Sequence, residues 1–131
     1  MFSAKDIINL KDIMYHQGSW NSYTSISIEG SKVGFANESI IKKYTKLVSS
    51  LISESESVCH VAKKETGCSY SSFQIVDKSC IAGNFSTEKP NSNVEIFSSN
   101  KLNLDEILKI TKEFFDCEDL NVSTFSKATH S

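Results

Sequence analysis

Ser71-Ser72-Phe73-Gln74-Ile75-Val76, then Asp77-Lys78, then Ser79-Cys80-Ile81-Ala82-Gly83-Asn84-Phe85 is the stretch on which the fold turns. Two apolar-rich runs of strand length flank a two-residue polar turn, the pattern of an antiparallel hairpin. Reading upstream, Val58 to Lys64 forms a third run, separated from the hairpin by the turn chemistry of Thr66-Gly67. Downstream, Val94 to Ser98 and Leu120 to Phe125 add two more. Near the start, Tyr23 to Glu29 places Ile26 and Ile28 on one face and Ser25 and Ser27 on the other, the period of two of a half-buried strand. Gly30 ends it.

Helical periodicity takes over elsewhere. From Glu38 to Ile52 the apolar set Ile40, Ile41, Tyr44, Leu47, Val48, Leu51 and Ile52 recurs every 3.6 residues, with Lys42, Lys43 and Lys46 opposite and Asn37 as cap. Asn103 followed by Glu106 resembles a capping box that opens a helix through Phe115, with Leu104, Ile107, Leu108, Ile110, Phe114 and Phe115 inward. A short helix from Ser3 to about Met14 precedes the first strand, and Ser53-Glu54-Ser55-Glu56-Ser57 reads as a solvated loop. The order is helix, then β-α-β-β-β-β-α-β. Two amphipathic helices on one face of a mostly antiparallel sheet bury both stripes, so the expected class is an α+β two-layer sandwich. The chain is read as one domain over 1–131, with 1–20 a helical extension and 21–126 the core.

Composition narrows the function. The 131 residues carry 14 basic and 16 acidic side chains for a net charge of -2, and every base is Lys. Without Arg the bidentate reader of guanine and phosphate is missing, so nucleic acid is not an expected partner. No apolar run approaches the ~20 residues of a membrane span, and the chain is expected to be soluble, unexported and cytoplasmic. Cys59, Cys68, Cys80 and Cys117 make no CxxC pair, and His16, His60 and His130 show no ligand spacing, so no metal is expected and the thiols should be reduced and packed. Glycine signatures for dinucleotides, P-loops and nucleophile elbows are absent from the sequence.

The segment Ser79 to Pro90 with Asn93-Val94-Glu95-Ile96-Phe97-Ser98-Ser99 resembles the small bacterial S-adenosylmethionine decarboxylases. That family runs from Glu-Ser-His through His-Thr-Trp-Pro-Glu to Asp-Val-Phe-Thr-Cys. Ser79 falls on the serine that becomes the pyruvoyl group, Ser71 on a serine used in self-processing, and Glu88 on the closing glutamate of the second motif. The third motif is similar to Glu95-Ile96-Phe97-Ser98-Ser99, and the likeness spans about Tyr23 to Phe125. The departures are chemical: Lys78 replaces the glutamate before the cleavage serine, Asn84 the processing histidine and Ser99 the catalytic cysteine. Serine activation and protonation both need groups of the lost kind, so the resemblance implies an uncleaved chain without a pyruvoyl cofactor.

Thr87-Glu88-Lys89 leading into Val94 to Phe97 is also similar to a Thr-Glu-Glu-Lys-like stretch of the phage-encoded S-adenosylmethionine lyases, cofactor-free relatives of those decarboxylases. This second resemblance implies cleavage of S-adenosylmethionine to 5'-methylthioadenosine and homoserine lactone, countering host methylation-dependent defences. It further implies a homotrimer with sites where subunits meet. Glu88 is then the catalytic residue, and Ser79, Asn84, Phe85, Ser86, Thr87, Ser99 and Tyr70 bind substrate. Two rival readings stand: a pyruvoyl decarboxylase of S-adenosylmethionine or an amino acid, with Ser79 as precursor, and a binding protein that kept the fold without the chemistry. For single residues the plain alternatives are a solvated turn carboxylate at Glu88, sheet hydrogen bonds at Ser79 and Ser99, and core packing at Tyr70, Phe85 and Phe97. Trp20, with Tyr15 and His16, either caps a subunit contact or covers a sheet edge.

Overall fold

A computed structural model of the chain describes residues 3, 5, 6, 9, 20–29, 38–53, 57–63, 69–76, 79–86, 91–99, 102–117 and 119–126. Along these run strand β1 (Ser22–Glu29), helix α1 (Glu38–Ile52), strands β2 (Cys59–Lys63), β3 (Ser69–Val76), β4 (Ser79–Ser86) and β5 (Asn91–Ser98), helix α2 (Leu104–Phe115) and strand β6 (Asp119–Ser126). The strands make one sheet in the order β2-β3-β4-β5-β1-β6. Every neighbouring pair is antiparallel, as the α+β reading expects. Of the helix expected from Ser3 to Met14, Ser3, Lys5, Asp6 and Asn9 are described, the last three of them helical, and the other residues lie outside the described ones. Its start is a reciprocal cap: the Ser3 N–H donates to Asp6 Oδ2 at 3.0 Å and the Asp6 N–H to Ser3 Oγ at 3.1 Å.

Each helix follows from its sequence. On α1, Ile41, Tyr44 and Val48 are fully buried, whereas Leu47, counted on the apolar stripe by its spacing, sits off it and is 44% exposed. Helix α2 opens on Asn103, whose Oδ1 accepts from the Glu106 N–H at 3.4 Å. It closes at Asp116, which turns the chain at φ 47°, a left-handed conformation that Asp tolerates better than most residues.

The core lies between the helices and one sheet face. Ile26 and Ile28 of β1, Val94 and Ile96 of β5, and Ile81 and Phe85 of β4 all point there, joined by Ile107 and Phe115 of α2. Tyr44 occupies its centre, with its ring centroid 4.7 Å from Phe115, 5.6 Å from Phe114 and 6.4 Å from Phe85. Its hydroxyl lies 2.8 Å from Thr111 Oγ1. Because the Thr111 hydroxyl already donates to the Ile107 carbonyl at 2.7 Å, Tyr44 is the donor of that pair. A smaller cluster of Trp20, Phe73, Cys80, Ala82 and Phe97 sits on the opposite face, with Tyr23 and Ala62 packed against it. The sheet is therefore apolar on both sides at its β3-β4-β5 centre.

One glycine shows how tightly the helix face is packed. A Cβ on Gly83 would lie 2.5 Å and 2.7 Å from the Phe85 ring and 2.8 Å from Ser72 Oγ. Gly83→Ala is therefore expected to cost about 1–3 kcal/mol through overpacking, read as a lowered urea midpoint with an unchanged slope. A midpoint equal to wild type would mean that the Phe85 ring moves aside without loss.

Candidate functional site

The register writes the face away from the helices as rows of side chains. One row crosses the sheet as Ser71, Asn84, Asn93, Ser27 and Asn121. The next runs His60, Phe73, Ala82, Glu95, Ser25 and Ser123. Such a surface offers amides, hydroxyls and one central carboxylate. Glu95 is partly buried, and its Oε1 accepts a 2.8 Å hydrogen bond from the Tyr23 hydroxyl. Tyr23 in turn stacks against Phe97 at 4.9 Å and Trp20 at 6.0 Å. A carboxylate held this way, next to aromatic rings, can receive a cationic group or bridge ligand hydroxyls.

The positions compared with the decarboxylases fall into two groups. Ser71 and Asn84 stand side by side across β3 and β4, and the Ser71 hydroxyl donates to Asn84 Oδ1 at 3.2 Å. Ser79 starts the same strand on the helix face, 1% exposed, and its hydroxyl donates to Ser98 Oγ at 3.3 Å. Five residues of strand at ~3.4 Å per residue put Ser79 roughly 17 Å from Asn84, on the other side of the sheet. An amide at Asn84 also carries no titratable proton, so nothing in this pair activates the Ser79 hydroxyl.

The remaining expected residues spread out. Phe85 is 1% exposed and lies 6.3 Å from Phe115, so its ring surface is spent on the core. Tyr70 borders that core, opposite Phe85 across the strands, and the Ser86 N–H donates to Ser92 Oγ at 3.1 Å. Ser99 follows β5; its carbonyl accepts from Asn21 Nδ2 at 2.8 Å, and its buried Oγ has no hydrogen-bond partner among the described residues. Glu88 and Thr87 lie outside the described residues. Glu95 and Tyr23 are candidate site residues to which no motif in the sequence assigns a role. Their signal was a carboxylate in the middle of a strand, where acidic residues are depleted, alternating with the core residues Val94 and Ile96.

The described thiols are poor nucleophiles. Cys59, Cys80 and Cys117 are free, and burial, reinforced by the nearby Glu95 charge, pushes Cys80 from 9.0 up to about 12. His60 sits on the Glu95 row but three strands away, roughly 14 Å at ~4.8 Å per strand, too far to work as its proton partner. Among the described residues no three His, Cys, Asp or Glu side chains gather as a metal site. No described helix is long and apolar enough to cross a membrane.

No protein-family profile and no curated protein matches the sequence. Among solved structures the chain is similar to the crystal structure of the adenosylmethionine decarboxylase from Aquifex aeolicus VF5, with a TM-score of 0.61 over 87% of this chain and 95% of that one. The two share 8% of their residues, so the likeness is one of fold.

The Cys80 shift has a pH consequence. A thiol whose folded pKa is raised binds its proton longer in the native state, so stability is full below 9.0 and falls as pH rises toward about 12. Tyr44, pushed well above its usual 10.0 by burial, adds to the same loss at the alkaline end. Urea midpoints should therefore drop from pH 9 upward, and Cys80→Ala should flatten the first part of that drop. An identical pH dependence in the variant would place the titrating group elsewhere.

Proposed function

We propose that the protein is a cofactor-free S-adenosylmethionine lyase, releasing 5'-methylthioadenosine and homoserine lactone. The observation that carries this reading is the decarboxylase-like fold combined with the Ser71–Asn84 pair. Where the resemblance puts a serine and a processing histidine, this chain holds two side chains that hydrogen-bond each other and move no proton. A fold suited to the substrate class, without the groups for pyruvoyl chemistry, favours a reaction whose nucleophile and leaving group both belong to the substrate.

That reaction balances without a protein acid or base. The substrate carboxylate oxygen bonds to the γ-carbon, the carbon–sulfur bond breaks, and its electron pair returns to sulfur as a neutral thioether. A sulfonium and a carboxylate thereby cancel each other, and charge diminishes toward the transition state. Protein groups that stabilise the sulfonium itself would lower the ground state more than the transition state. The substrate ammonium keeps its charge throughout, so a protein carboxylate helps most by gripping the ammonium and fixing the folded conformer. Orientation of an intramolecular attack is worth several kcal/mol, on the order of 7 in well-fixed cases. Glu88 is the carboxylate on which both resemblances fall and which the lyase resemblance marks for catalysis, and Glu95 offers a second anion on the sheet. In a phage-infected cell, removal of the methyl donor would blunt methylation-dependent defence.

Incubation with S-adenosylmethionine followed by mass spectrometry of chain and products tests the proposal. An intact chain with methylthioadenosine and homoserine lactone is expected. Glu88→Gln should keep the fold and lower kcat/KM by about 100-fold, about 2.7 kcal/mol of barrier, while Ser79→Ala, at a residue expected to contact substrate and not to react, is tolerated with a far smaller loss. A chain cleaved before Ser79 with carbon dioxide released would establish the decarboxylase instead, and untouched substrate would leave a binding protein.

A further inference from the structure

Strand β3 carries a polar pair on the face of the sheet that builds the core. Alternation puts Ser72 and Gln74 beside Gly83 and Ile81 of β4, under the helices, and both are buried, Gln74 to 3% exposure and Ser72 entirely. Their cross-strand neighbours give them no partner: Ser72 is flanked by Val61 and Gly83, and Gln74 by Cys59 and Ile81. The Gln74 amide donates from Nε2 to Ser57 Oγ at 2.6 Å, but its Oε1 has no hydrogen-bond partner among the described residues, and neither has Ser72 Oγ. Two orphaned polar atoms in one layer of one strand are uncommon in a folded interior, and each costs stability if left dry.

Helix α1 brings more polar groups to the same layer. Thr45 and Ser49 are buried on it, one turn apart. The Thr45 hydroxyl donates to the Lys42 carbonyl at 3.1 Å and the Ser49 hydroxyl to the Lys46 carbonyl at 3.0 Å. Thr45 also lies beside the Cys59 thiol, the register partner of Gln74, so the helix packs over this end of β2 and β3. With their protons spent on their own helix, both hydroxyls keep only lone pairs for anything beneath them.

The chemistry of this seam selects its occupant. Gln74 Oε1 can only accept and Ser72 Oγ can do either, so the missing partner must donate. It must be uncharged, because Thr45, Ser49, Cys59, Ser72 and Gln74 offer no carboxylate to balance a buried cation. It must also be small. Residues two apart on a strand lie ~6.8 Å apart, and one oxygen at hydrogen-bond distance from two atoms spans about 5.6 Å, a difference the longer Gln74 side chain makes up. Turning the Gln74 amide over would put a donor where the oxygen is, and a molecule that both donates and accepts serves either arrangement. We infer that a single internal water molecule is a fixed part of this protein, bridging Gln74 and Ser72 between β3 and α1. It fastens the strand whose opposite face carries Ser71 of the Ser71–Asn84 pair.

Oxygen-17 relaxation dispersion of water in a solution of the full chain tests this, because it counts long-lived internal waters and is blind to exchanging hydroxyl protons. The wild type should show a dispersion, and Gln74→Met should lower its amplitude by that of one water while keeping the wild-type far-UV circular dichroism. Ser72→Ala should remove the same water, so the double variant should again lose one and not two. A crystal of the unaltered chain should show solvent density within hydrogen-bond distance of both Gln74 and Ser72, a readout that does not depend on any variant folding. A wild-type chain without dispersion would overturn the inference, as would folded variants that keep its full amplitude or a double variant that loses two waters. So would a crystal that resolves surface waters and shows none at this place.

Discussion

The structure depends on satisfying one buried hydroxyl. Tyr44 brings the largest fully buried side chain of the core into a space walled by Phe85, Phe114 and Phe115, and its oxygen must find a partner there. Leaving it unpaired would cost on the order of 1–3 kcal/mol. Thr111 supplies the acceptor, which fixes the register of α2 against α1, and its own proton goes back into the helix at Ile107. Once the helices are locked this way, the sheet beneath must present flat apolar residues. The alternation of β1, β4 and β5 does so, with Gly83 where Phe85 and Ser72 leave no room for a side chain.

Local pattern carried the elements into view, and distance in sequence hid their arrangement. Helix periodicity over Glu38–Ile52 and the polar Asp77-Lys78 pair between two apolar runs are both signals carried by neighbouring residues, so α1 and the β3–β4 pairing were legible. Strand ends were less so: Val94 was the expected start of a strand that begins at Asn91, because Asn91-Ser92-Asn93 has turn-like composition but is held by pairing with β1. The insertion of β1 between β5 and β6 leaves no trace in the sequence. It follows from pairings such as Ile26 with Val94 and Val122, which span about half the chain or more and depend on packing rather than propensity. The cluster of Trp20, Phe73, Cys80 and Phe97 was hidden for the same reason.

The candidate site divides along the same line. Ser71 and Asn84 were legible as a pair of positions through resemblance, and the hairpin register brings them together. Phe85 was open to both readings, substrate contact and core packing, because an aromatic in a strand reads the same whether it faces ligand or core; parity with Gly83 and Ile81 puts it in the core. Glu95 is legible only as the first residue of the third motif, since its neighbours Val94 and Ile96 mark a strand and no site; the register shows its carboxylate beside the Tyr23 hydroxyl on the far face.

What a fold must supply depends on what the substrate already contains. Self-processing and decarboxylation need groups that give and take protons within hydrogen-bond reach of a reacting atom, and each such group must sit at one place. An intramolecular displacement that cancels its own charges needs only a rigid frame of dipoles and a counter-ion for the charge that persists. Ser71, Asn84, Asn93 and Ser27 lie in one row of a sheet anchored on both faces, which holds their dipoles in place better than a loop would. Replacing a histidine by an asparagine in such a row removes a proton shuttle while keeping a donor and an acceptor at the same point.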